Sequence, residues 1–76
     1  MKTLFIKING ITDVTTFVKM ATSVEDADIL VKKGKFCIDA KSLMGIFSLD
    51  LSEGVTVEYP ESAKDFENYI MNFKVD

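Results

Sequence analysis

The chain has 76 residues, a formal net charge of −3 at pH 7, and a composition that is 47% hydrophobic and 28% charged. A chain of this length accommodates one domain, residues 1–76, with a modest two-layer core, and its acidic balance disfavours nucleic acid, whose phosphates call for a basic surplus. It contains no histidine, and all nine basic residues are lysine, so imidazole acid–base work, histidine metal ligation and bidentate guanidinium clamps are excluded.

No apolar run approaches the roughly 18 residues of a membrane span. The opening MKTLFIKING alternates lysine with apolar residues instead of forming the continuous apolar core of a signal peptide. The expectation is a cytoplasmic protein with no membrane contact. Cys37 is the single cysteine, so no internal disulfide is possible; in a strand it reads as a small buried apolar side chain. The carboxylates are scattered, with no pair to place in one cleft. No catalytic residue, metal site or cofactor is expected, and the reading is a non-enzyme.

In chain order, Leu4, Ile6 and Ile8 alternate with Thr3, Phe5 and Lys7, the period of a strand, which Asn9–Gly10 breaks. Val14, Phe17, Val18 and Ala21 then fall at i, i+3, i+4 and i+7, the apolar stripe of a helix with Thr12 or Asp13 as its N-cap. DILVK and FCIDA read as two strands of a hairpin turning at Gly34. Ala40–Gly54 (AKSLMGIFSLDLSEG) reads as one short helix closed by Gly54. Val55, Val57 and Tyr59 share one face of a last strand, which Pro60 stops. A final helix starts near Ser62, whose SAKD spacing resembles a capping box; Ala63, Phe66, Ile70 and Phe73 form its buried stripe.

The order β-α-β-β-α-β-α predicts an α+β open-faced β-sandwich: a four-stranded antiparallel sheet with three helices on one face. Lys7, Lys32, Asp39, Thr56 and Glu58 suit its solvent side.

Ser42 stands at the head of the second helix. It reads as an N-cap, whose hydroxyl accepts a hydrogen bond from a first-turn amide. The position also admits a phosphate, with Lys41 as the adjacent cation. Ile46 and Leu49 are spaced to enter the core. Leu43, Met44 and Phe47 share the other side, and about two turns between a sheet and water cannot bury both faces. These three therefore form either an exposed docking patch or part of an unusually deep helix.

The stretch KSLMGIFSLDLSEG resembles the regulatory-serine segment of the HPr family, the phosphocarriers of the bacterial sugar phosphotransferase system. Lys41 and Ser42 open the segment, the apolar run with Ser48 and Leu49 follows, and Gly54 precedes the fourth strand. NGI at Asn9–Ile11 and FVKMA at Phe17–Ala21 fit the same family, and the element order matches over nearly the whole chain. The resemblance implies an open-faced sandwich of four strands and three helices, with an exposed docking patch at Leu43, Met44 and Phe47 beside Lys41. It also implies a regulatory phosphorylation site at Ser42. The family's phosphohistidine loop reads Gly-(Leu/Ile)-His-(Ala/Thr)-Arg-Pro; here it is Gly10-Ile11-Thr12-Asp13-Val14-Thr15. Ile11, Thr12 and Asp13 thus form a degenerate phosphocarrier loop: a threonine hydroxyl cannot replace imidazole as a phosphoryl relay, and Asp13 repels phosphate. The expected function is a regulatory or binding module whose protein partner is an HPr-type serine kinase or a transcription regulator, the module itself a monomer or weak homo-oligomer. The alternative is a structural or assembly protein on the same fold, with Ser42 only a cap.

Overall fold

A computed structural model describes residues 1–75. The chain runs β1 (Lys2–Ile6), α1 (Ile11–Thr22), β2 (Leu30–Lys33), β3 (Phe36–Asp39), α2 (Leu43–Phe47), β4 (Val55–Tyr59) and α3 (Lys64–Ile70), with 3₁₀ turns at Leu51–Glu53 and Met71–Phe73. The strands form one antiparallel sheet in the order β1-β4-β2-β3. This is the expected open-faced α+β arrangement. No helix among the described residues is long and apolar enough to cross a membrane.

Strand alternation decides which side chains meet the helices. Ile6, Val31, Val55, Val57 and Tyr59 point to the helical side and are buried with Val14, Phe17, Val18 and Ala21 of α1, Ile46 of α2, and Phe66 and Ile70 of α3. The Phe66 ring packs between those of Phe17 and Tyr59, with centroids 5.8 and 6.0 Å away. On the open face, Lys32 of β2 pairs with Glu58 of β4. Gly54, at φ 103°, turns the chain into β4, and a Cβ there would lie 2.3 Å from the Phe5 ring, which covers it from β1.

Several boundaries differ from the sequence reading. Neither Thr12 nor Asp13 caps α1: the helix starts at Ile11, and Gly10 occupies the cap position with no side-chain bond. Thr12 and Asp13 lie inside the first turn, where the Asp13 carboxylate complements the helix dipole. The Thr15 and Thr16 hydroxyls bond back to the carbonyls of Ile11 and Thr12, at 2.8 and 3.0 Å. The SAKD capping box does not form either. α3 begins at Lys64 after Ala63, and the Ala63 and Lys64 amides donate to the carbonyls of Pro60 and Ser62 instead.

The second helical stretch is divided. α2 ends at Phe47, where the Ser48 hydroxyl donates back to the Gly45 carbonyl. Asp50 then caps a separate 3₁₀ turn, its carboxylate accepting from the Ser52 N–H at 3.0 Å. Leu49 falls in the link and is only partly buried, while Leu51 takes the second core position. Cys37 is exposed, because it lies opposite Lys32 on the open face while its neighbour Ile38 faces inward.

One polar cluster ties the sheet to α3. The Tyr59 hydroxyl donates to Glu67 Oε2 at 2.6 Å, and Lys2 Nζ contacts the same oxygen at 2.6 Å. Burial and the carboxylate neighbour push the Tyr59 phenol up to about 12. The bonds from Lys2 and then Tyr59 hold the Glu67 carboxyl below its ordinary value.

Phe66→Ala is expected to cost about 3–5 kcal/mol of stability in denaturant unfolding, since it leaves a cavity between two rings. A lowered Glu67 pKa means a stabilisation that is full above the ordinary carboxylate range of about pH 4–4.5 and is lost as pH falls through the depressed folded value. Melting curves of Glu67→Gln should therefore fall less steeply with acid than those of the parent.

Candidate functional site

The candidate face is built by α2 and the start of α1. Asp39 organises the entry to α2: its carboxylate accepts the Lys41 N–H at 2.9 Å and its carbonyl accepts the Ser42 N–H at 3.0 Å. Ser42, in extended conformation, caps α2, its hydroxyl accepting from the Gly45 N–H at 3.3 Å. The expected N-cap is therefore present, and the residue is exposed.

Ile46 is the single buried residue of α2 and is fully inaccessible. With it pointing inward, the spacing of the others turns them out. Met44 is 85% exposed, Phe47 46% and Leu43 43%, so the deep-helix alternative does not hold for this side of α2. Lys41, which the sequence puts beside the same patch, behaves differently: its ammonium donates to the Ala27 carbonyl at 3.1 Å and is partly buried. It braces the α2 entry against the loop after α1.

The degenerate loop lies across from this helix. Ile11 is 75% exposed at the first position of α1, and Thr12 and Asp13 are exposed beside it. A groove of about 360 Å³ runs between the two segments, with Ile11, Val14 and Phe47 among its lining residues. Asp50 lines it too. Hydrogen bonds from the Ser52 hydroxyl and then the Ser52 N–H lower the Asp50 pKa, so that carboxylate stays ionised. The groove therefore offers apolar contact and one negative charge, and its lining contains no imidazole. Sequence reasoning placed Ile11 in the failed carrier loop and missed it as an apolar member of the α2 face. The signal was present as an isoleucine just after a glycine turn, ahead of the buried stripe.

Gly45 fits because α2 lies close to β3. A Cβ at this position would stand 2.8 Å from Ile38 Cγ2. Alanine is the better helix former by about 1 kcal/mol, but overpacking costs about 1–3 kcal/mol. Gly45→Ala is thus expected to destabilise the protein modestly in thermal unfolding, although it improves helix propensity; a higher melting temperature would contradict this seating of α2.

Residues 13–69 match the family model described as the PTS HPr component phosphorylation site. No curated protein matches the sequence. Two solved structures share the fold. HPr-C-His from Thermoanaerobacter tengcongensis is 25% identical with a TM-score of 0.75, over 95% of this chain and 89% of that one. The phosphocarrier protein HPr from Bacillus anthracis str. Ames is 24% identical with a TM-score of 0.69, over 96% and 94%. With its sheet order, its serine-headed second helix and a family match over most of its length, the chain belongs to the HPr family of the phosphotransferase system.

Proposed function

We infer that this protein is a cytoplasmic regulatory docking module: a single HPr-like domain that has lost histidine phosphocarrier chemistry and binds a protein partner through α2. The observation that carries this reading is the joint exposure of Ser42, Leu43, Met44 and Phe47 on a helix anchored by one buried residue. Contiguous exposed apolar side chains on a small domain mark an interaction surface, and methionine and phenylalanine adapt well to a partner.

The loss of carrier chemistry follows from residue types. Thr12 stands where the family pattern has its histidine, no arginine exists in the chain, and Asp13 sits in the same turn. The module is a binder and not an enzyme. Its partner is an HPr-type serine kinase or a transcription regulator. Phosphorylation of Ser42 adds about −1.5 to −2 charges beside Leu43 and Met44, which selects among partners by charge while the fold stays as it is.

A second reading rests on the Ser42–Gly45 bond: the serine is a cap alone, and the fold serves an assembly with no phosphotransferase link. A partner pull-down from host lysate with the parent, Met44→Asp and Ser42→Asp in parallel separates the two. The docking reading expects Met44→Asp to lose the partner, and Ser42→Asp to change partner recovery with a nearly unchanged melting temperature. Equal recovery by all three sinks the patch. In a separate assay, enzyme I and phosphoenolpyruvate should leave the chain unlabelled. An acid-labile phosphoprotein would contradict the loss of carrier function.

A further inference from the structure

The two edges of the sheet are treated differently. The outer edge of β1 is covered by the C-terminal segment: the Lys7 N–H donates to the Phe73 carbonyl, the Val75 N–H donates to the Phe5 carbonyl, and Lys74 bridges Ile6. The outer edge of β3 has no strand beside it among the described residues. An uncovered edge is a template for another strand.

The direction of the free groups is settled by parity. The Ala40 N–H donates to the Ile29 carbonyl, so the backbone groups of Ala40, Ile38 and Phe36 face β2, and those of Cys37 and Asp39 face outward. The Asp39 carbonyl is taken by Ser42, which leaves the Cys37 N–H and C=O and the Asp39 N–H to be paired. Phe36 is 64% exposed at this edge.

We propose that β3 pairs antiparallel with β3 of a second copy of this chain, in the register that sets Cys37 opposite Cys37, giving a two-fold symmetric weak dimer. A closed two-fold interface requires a self-complementary surface, and this register supplies one. It sets Phe36 opposite Ile38, twice, and brings Lys35, in the turn just before β3, to the strand end that carries Asp39 of the second copy, twice. Opposite charges brought together across a strand pair stabilise it. The two neighbouring registers that keep the outward groups in line are worse: one brings Lys35 to Lys41, and the other sets Ile38 opposite Gly34 and leaves Asp39 with no β3 residue of the second copy across from it. Four residues of strand cover far less than the roughly 1,000 Å² of a stable interface, so the dimer forms only at high concentration. This pairing uses the sheet edge and does not depend on the docking role of α2.

The test is a dilution series of ¹⁵N-labelled protein from about 1 mM downward, followed by amide shifts and diffusion. The parent should show slower diffusion at high concentration, with shifts confined to residues 35–39. Lys35→Glu and Asp39→Lys should each weaken association about tenfold by opposing like charges, and the double variant should restore it. Asp39 also accepts the Lys41 N–H, so a second arm avoids it. Cys37→Pro removes one outward-facing N–H, which edge strands tolerate, and should stay folded and monomeric. No concentration dependence, shifts centred on α2, or a Cys37→Pro variant that dimerises like the parent would overturn the pairing.

Discussion

The burial of Ile46 is the contact on which the rest of this protein's surface depends. α2 has five residues and no other buried side chain, so Ile46 alone sets its rotation against the core. Once it points at the sheet, Leu43, Met44 and Phe47 have nowhere to go but solvent. Gly45 lets the helix approach β3, and Lys41 and Asp39 hold its entry from either side. An apolar face is thus kept outside the core by a device that lies inside it. Fully burying one isoleucine is worth about 1.5–3 kcal/mol, a large share of the stability of so small a domain.

The start of α1 shows the complementary change. Behind the backbone turn at Gly10 the apolar stripe is in place, and the first turn carries Thr12 and Asp13 with no histidine or arginine. Thr15 and Thr16 turn their hydroxyls to their own helix. Ile11 instead presents an apolar side chain across the groove from Phe47. Two segments that read separately in the sequence, one as a failed carrier loop and one as a docking helix, therefore border a single surface. A fold and the chemistry placed on it are separable.

Much of the fold was legible because burial imposes periodicity. The stripe Val14, Phe17, Val18, Ala21 and the alternation Val55, Val57, Tyr59 were readable and are buried as read. The conflict between five apolar residues and a two-turn element left α2 either exposed on one side or deeply buried, and the exposures of Leu43, Met44 and Phe47 decide it. What was illegible was decided by short-range competition between hydrogen bonds. Ser48 bonding back to Gly45 ends α2, and Asp50 capping the next turn moves the second core position from Leu49 to Leu51. Backbone carbonyls displace the expected side-chain cap of α3. Cys37 was misplaced because Phe36, Cys37 and Ile38 are all apolar and show no alternation; only pairing with β2 decides which of them faces water.

The most direct measurement is site-resolved mass spectrometry of this protein after incubation with an HPr-type serine kinase and ATP, with Met44→Asp run beside it. If α2 is the docking face of a serine-regulated module, a single phosphate is expected on Ser42 of the parent, and a charge at Met44 should slow that reaction strongly while leaving the fold intact. Phosphate on another hydroxyl, no phosphate on Ser42, or equal rates for parent and variant would contradict the account.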